Sequence, residues 1–128
     1  MTTFFVPGVP IQQGSMKVFG GRIVHNSDAK LRVWRESVGW HAKAARVELI
    51  PKEVGVSIEL DFIFQRPKTS KRVLPTVPPD LDKEIRSCLD ALSGIAYVDD
   101  SQVVKISSTK IYGERAGVRI SIRSLTSL

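Results

Sequence analysis

Hydrophobic and polar residues alternate most regularly in the middle of the chain. From Val54 to Phe64 most apolar side chains fall at every second position over eleven residues, which is the period of a β-strand. Shorter runs of β-forming residues predict five further strands: 2–6, 17–19, 22–24, 103–111 and 118–123. Turn residues separate strand 17–19 from strand 22–24, and strand 103–111 from strand 118–123. Each of these two pairs is therefore predicted to form a hairpin.

Two segments have the helical period instead. Apolar residues recur every three or four positions from about 28 to 49, and Pro51 follows. A second stripe runs from Leu81 to Leu92, after two prolines and before Ser93-Gly94, a typical helix stop. The order of elements predicts an α+β fold in a single domain of residues 1–128. In this fold a mixed or antiparallel sheet carries two main helices.

The charge of the chain indicates which kind of molecule it binds. The 128 residues carry a net charge of +6 with a pI near 9.8, which favours nucleic acid as a partner. Cys88 is the only cysteine, so no intrachain disulfide can form, and its place on the second helical stripe predicts a buried thiol. We see no signal peptide and no apolar run long enough for a membrane span. The expected location is the cytoplasm.

One segment is acidic, whereas the rest of the chain is basic. Residues 80–100 contain six acids and two bases, a net of −4, so the remaining residues carry +10. Carboxylates repel phosphate unless a divalent cation lies between them, and Mg²⁺ is usually held by one or two carboxylates plus substrate phosphate. Spacing alone leaves structural roles open. Asp80 is a good N-cap, Asp82, Arg86 and Asp90 could form an ion-pair ladder, and Asp99-Asp100-Ser101 could be a turn.

Three sequence blocks resemble a known family. They are Pro79-Asp80-Leu81-Asp82-Lys83, Leu89-Asp90-Ala91-Leu92-Ser93-Gly94 and Asp99-Asp100-Ser101-Gln102-Val103. In order and spacing they resemble the signature of the RusA-like Holliday junction resolvases. The resemblance implies a small homodimeric endonuclease that depends on Mg²⁺, with Mn²⁺ as a possible substitute. Such an enzyme cuts four-way DNA junctions by paired nicks.

The resemblance also implies roles for particular residues. Asp80, Asp82 and Asp100 would hold the metal, with Asp99 as a less certain neighbour. Arg86 would neutralise phosphate charge, although the family usually has Lys there, and Arg cannot transfer a proton as a Lys can. Lys83 stands where the family usually has Asn.

Six cations are candidates for contacting DNA: Lys17, Arg66, Lys68, Lys71, Arg72 and Lys83. Four of them lie in the long segment 65–77, which is predicted to be a mobile arm that grips DNA beside the cut. Two alternatives to the resolvase remain. One is a nuclease for flaps or other branched DNA, and the other is a non-catalytic basic DNA-binding module whose acids are structural.

Overall fold

The computed structural model describes residues 1–14, 16–19, 22–25 and 28–128, with side chains for 1–14 and 29–128. The elements in chain order are β1 (Thr2–Pro7), β2 (Met16–Phe19), β3 (Arg22–His25), α1 (Asp28–Ala44), β4 (Gly55–Phe64), α2 (Leu81–Leu92), β5 (Val103–Tyr112) and β6 (Gly117–Leu125). Strands β2 and β3 pair antiparallel as a separate small hairpin, as predicted. The α+β class and the two helices are therefore confirmed.

The main sheet has the order β1-β6-β4-β5. β4 lies antiparallel to β6 and parallel to β5, so the sheet is mixed. The alternating apolar side chains of β4, which include Val56, Ile58, Leu60 and Phe62, are fully buried. The most regular hydrophobic pattern in the chain thus belongs to an interior strand, whose apolar side chains share one core cluster with residues of both helices.

The hairpin predicted for the last two strands is wrong. β5 and β6 follow one another in sequence, but β4 lies between them and pairs with both. A period of two identifies a strand and its buried face, yet it carries no information about which strand lies alongside. The strongly apolar β4 takes the position that buries it on both edges, and the connection from Gly113 to Ala116 spans it.

Both helices pack on the same hydrophobic core. α1 contributes Trp34, Val38 and Ala42, and α2 contributes Cys88 and Leu92, all of them buried. The buried free thiol of Cys88 is confirmed. Among the described residues, no helix is long and apolar enough to cross a membrane.

The first helix is shorter than predicted. It ends at Ala44 rather than near residue 49, and Arg46 adopts a left-handed φ of 59°. The amide of Val47 donates to the carbonyl of Ala42, and that of Arg46 donates to the carbonyl of Lys43. These two bonds form a Schellman-type helix end in which Arg46 takes the place usually held by glycine, so no glycine marks the end of this helix in the sequence.

α2 runs back across the sheet between two parallel strands. Lys110, near the end of β5, donates from Nζ to the carbonyl oxygens of Val77 and Pro79, each at 2.8 Å, just before the helix begins. At the other end of the helix, the Tyr97 hydroxyl donates to the Leu89 carbonyl at 2.6 Å. The helix start therefore lies beside the end of β5, and the helix end lies near its beginning.

A single turn of 3-10 helix, Asp100–Gln102, leads into β5. The buried Gln102 side chain donates from Nε2 to the carbonyls of Pro51 and Val54, and its Oε1 accepts from the amides of Val98 and Asp99. One side chain thus joins the turn to the segment that precedes β4.

Replacing Gln102 with alanine should lower the free energy of unfolding by about 3 kcal/mol, because several buried backbone groups lose their partners. Chemical denaturation measures this loss. Ser101→Ala is the matched control, since the adjacent side chain is exposed and should change stability by less than about 0.5 kcal/mol. Equal stability of the two variants would contradict the role of Gln102.

Candidate functional site

The carboxylate of Asp80 does not cap its own helix. Asp80 occupies the N-cap position of α2 in an extended conformation, but its side chain accepts no capping hydrogen bond. Its backbone amide donates to Gln12 Oε1 at 2.7 Å, and Lys83 Nζ lies 3.3 Å from its Oδ2. The Asp80 side chain therefore does not cap the helix, and it remains half exposed beside Lys83.

Asp82 and Arg86 lie one turn apart on the same helix, and both are exposed. The ion-pair ladder with Asp90 does not form, because Asp90 pairs with Arg35 of α1 at 2.9 Å. Within the part of the chain whose side chains are described, no hydrogen bond or salt bridge involves Asp82 or Arg86. Neither side chain is therefore needed to hold the fold together.

The two acids before β5 have different environments. Asp99 Oδ2 accepts from the Ser101 amide at 3.0 Å, and hydrogen bonds from Ser101 lower the pKa of Asp99. Asp100 is exposed, and no described side chain or backbone amide binds its carboxylate. Asp99 therefore shapes the turn, whereas Asp100 is the carboxylate left available.

The fold places these two pairs of acids at opposite ends of α2. Asp80 and Asp82 lie at the helix start beside Lys110, whereas Asp100 lies near Tyr97, whose pKa is raised first by burial and then by the Asp100 charge. Twelve helical residues extend about 18 Å. A single chain does not bring Asp100 next to Asp80 and Asp82, and the sequence-based expectation of a common point is not met within one protomer.

The cations of the arm are exposed as expected. Arg66, Lys68, Lys71 and Arg72 all reach solvent, and Arg72 Nη1 donates to Thr76 Oγ1 at 3.1 Å within the same segment. This segment leads directly into Asp80, so its positive charge adjoins the helix start. The side chain of Lys17 lies outside the described residues.

Comparison with known proteins identifies the family. The model described as Endodeoxyribonuclease RusA matches residues 7–123. The chain belongs to the RusA family. It is also 30% identical to the Uncharacterized protein YqaN of Bacillus subtilis (strain 168), over 96% of this chain and 96% of that protein.

The spacing of the acidic residues leaves open whether the chain is a nuclease or a non-catalytic DNA-binding module. Membership of the RusA family decides between these two classes of function. The chain is an endodeoxyribonuclease of the Holliday junction resolvase class, whose members act on branched DNA and generally need a divalent metal. The non-catalytic DNA-binding alternative is therefore wrong.

The chemistry of the free carboxylates fits a hard cation. Asp80 and Asp82 offer oxygen donors on an accessible surface, which suits Mg²⁺. No group of three or more acidic, histidine or cysteine side chains is close enough to hold a metal within the described part of one chain. Glu59 and Asp61 alternate along β4 with the buried Ile58, Leu60 and Phe62 and therefore lie on the face away from the core and α2. Asp61 there accepts from Thr109 Oγ1 at 2.7 Å. One end of α2 thus offers two carboxylates as candidate metal ligands.

A buried acid in α2 escaped the sequence analysis. Glu84 is completely buried, and neither of its carboxyl oxygens has a partner among the described residues. Burial raises its pKa to about 8, partly opposed by the positive charge of Lys110. Its position could have revealed it, because Glu84 lies three residues after Leu81 and four before Cys88, on the apolar stripe of the helix.

The folded protein should lose stability as the pH rises from about 4.5 to about 8, because the folded state retains the Glu84 proton that the unfolded chain releases. Between pH 5 and pH 9 without metal, Glu84→Gln should remove a loss on the order of 3 kcal/mol. Denaturation at both pH values measures it. Glu48→Gln, at an exposed position, should keep the wild-type dependence, and a pH dependence unaltered in Glu84→Gln would refute the assignment.

Proposed function

We propose that this RusA-family nuclease resolves four-way DNA junctions by paired, Mg²⁺-dependent nicks. The observation that carries the proposal is the pair of exposed carboxylates, Asp80 and Asp82, at a helix start directly after a segment with four exposed cations. Neither carboxylate caps the helix, and the surface pair of Asp80 with Lys83 leaves it half exposed, so both can reach a cation.

Each residue of the site has a definite task. Asp80 and Asp82 would hold Mg²⁺, for which Mn²⁺ can substitute. Asp100 lies at the other end of α2, so it would complete the site only from the second chain of a homodimer, with Asp99 supporting it by ordering the turn. A bound ion would lower the pKa of a water for attack on phosphorus and offset charge on the leaving oxygen. Arg86 stabilises negative charge on the phosphate without transferring a proton.

The surroundings of the helix start suit a phosphate backbone. Gln12 and Gln13 approach α2 there, through the Asp80 amide and through a bond from the Gln13 amide to the Lys83 carbonyl. The glycine-containing segment that continues to Lys17 thus begins beside the acids. Lys83 reduces the repulsion between Asp80 and DNA, and the arm of residues 65–77 binds the flanking duplex. A DNA substrate of this kind agrees with the cytoplasmic location expected from the sequence.

Paired nicks require two sites in a fixed relation. A homodimer supplies them, because its two-fold symmetry matches the symmetry of a four-way junction.

Asp82→Asn should reduce Mg²⁺-dependent nicking of a synthetic four-way junction at least 100-fold, because the amide is a weaker ligand for a hard cation. Junction affinity should remain within a few fold. Labelled-junction cleavage and gel-shift titration measure the two quantities, with Glu36→Gln as the exposed-acid control. Flap, replication-fork and plain duplex substrates in the same assay report the substrate preference. Cleavage by Asp82→Asn at the wild-type rate would refute the metal role.

Replacing Arg66, Lys68, Lys71 and Arg72 together with Ser should weaken junction binding at least tenfold. The plot of log binding constant against log salt should become shallower by up to about 3.6 units, because fewer counterions are released. The control replaces four exposed cations elsewhere: Lys30, Lys52, Arg115 and Arg123. If both quadruple variants behaved alike, the arm would have no specific role.

A further inference from the structure

Both polar groups of one peptide bond at the start of α2 are bound by side chains from distant parts of the chain. The Pro79 carbonyl accepts from Lys110 Nζ at 2.8 Å, and the Asp80 amide donates to Gln12 Oε1 at 2.7 Å. This carbonyl and this amide belong to the same planar unit. Lys110 also donates to the Val77 carbonyl at 2.8 Å. Gln12 and Lys110 thus form a clamp on the peptide before Asp80.

Lys110 faces α2 because of its register in the sheet. It pairs with Phe62 of β4, whose side chain is fully buried, and paired residues on neighbouring strands point to the same face of a sheet. Lys110 therefore occupies a core-facing position at the end of β5 although it carries a charge. Its aliphatic stem can lie inside while the ammonium group reaches polar partners, and the carbonyls of Val77 and Pro79 are those partners.

The position of Gln12 is fixed by the residues on both sides of it. Pro10 is fully buried, and Ile11 packs against the hydrophobic core. On the other side, the Gln13 amide donates to the Lys83 carbonyl at 3.1 Å. The side chain of Gln12 therefore approaches the start of α2 from a backbone that is anchored before and after it.

The clamp accounts for the absence of a side-chain cap on α2. An aspartate at the N-cap position usually turns its carboxylate to the amide of the second or third helical residue, here Asp82 or Lys83. Asp80 makes no such bond. Its carbonyl accepts from the Glu84 amide at 3.1 Å, and its own amide is held by the clamp. Both backbone groups of Asp80 are therefore fixed, and with them the direction in which its side chain leaves the backbone.

We propose that Gln12 and Lys110 are positioning residues for Asp80, the proposed metal ligand. By holding the peptide plane before Asp80, they keep its carboxylate turned away from the helix amides and available to a divalent ion. They act through Asp80 and not on the metal or the DNA. This inference rests on the proposed metal-dependent function and adds how one of the ligands is oriented.

The first test needs no metal. Gln12→Met is similar in size, adds no charge and removes the acceptor, so Asp80 should turn and cap the helix. Hydrogen exchange measured by NMR should then slow by about fivefold or more at the amide of Asp82 or Lys83. Adding Asp80→Ala should abolish this protection, because the capping carboxylate is lost. Exchange that is unaltered in Gln12→Met overturns the clamp.

Metal affinity is the second measurement. The Mn²⁺ dissociation constant from calorimetry should be about tenfold higher for Gln12→Met, because only a fraction of the molecules keep Asp80 uncapped. Gln13→Met is the matched control. It loses a side-chain bond to Arg35 but leaves the clamp intact, so the constant should change by less than about twofold. Circular dichroism verifies folding. A folded Gln12→Met with wild-type Mn²⁺ affinity overturns the proposal.

Variants of Lys110 separate positioning from charge. An ammonium group near a dication repels it, so loss of the charge alone in Lys110→Met should tighten Mn²⁺ binding. Loss of positioning should instead weaken binding about tenfold. Lys110→Arg keeps the charge and the donors and should restore the affinity to within about threefold. Lys30→Met, at an exposed lysine on α1, is the control. Unchanged or tighter binding by Lys110→Met overturns the role of Lys110.

Nicking of a synthetic four-way junction over a range of Mn²⁺ concentrations distinguishes this inference from the proposed function. Gln12→Met should need about tenfold more Mn²⁺ for half-maximal nicking but reach a similar plateau, because bound metal draws Asp80 out of the cap. Asp82→Asn should not be restored by added metal. A wild type that binds no Mn²⁺ and cuts no junction refutes the proposed function and this inference with it. An active wild type whose Mn²⁺ dependence is shared by Gln12→Met refutes only the clamp.

Discussion

Parallel strands can be joined only by a connection that runs back along the sheet, and this constraint governs the whole molecule. β4 and β5 are such a pair, and α2 makes the return. The start of α2 must therefore lie where β4 and β5 end, and the end of α2 must lie where these strands begin. Each candidate site residue in this unit consequently lies at one or the other end of the two strands.

Hydrogen bonds from two polar side chains fix the two ends of α2 relative to the sheet. Gln102 joins the turn before β5 to the segment before β4, and Lys110 holds the chain that enters α2 through two carbonyl oxygens. The bonds of Gln102 and the Lys110 bond to the Pro79 carbonyl are partly buried and costly to leave unmade, so they favour one position for each end of the helix. The buried carboxyl of Glu84 has no such partner among the described residues. Its raised pKa makes the stability of the fold depend on pH.

The acids of the motif divide into those the fold uses and those it leaves free. Asp99 accepts a bond from its own turn, and Asp90 pairs with Arg35 of the other helix. Asp82 and Asp100 have no such partner among the described residues, and Asp80 pairs only with Lys83 on its own helix. Sequence spacing could not make this division, because an aspartate before a helix looks the same whether its carboxylate caps the amides or faces a ligand.

The sequence by itself determined the family, the α+β class, the two helices and the strands, because hydrophobic period and short motifs are local properties of the chain. It also singled out Asp80, Asp82, Asp99 and Asp100 as candidate metal ligands, all of them exposed in the structure. Only the tertiary structure decided that β4 separates β5 from β6, that Glu84 is buried, and that Asp100 lies a helix length from Asp80 and Asp82. These facts depend on which surfaces meet, and that is settled by the burial of the whole core rather than by any one segment.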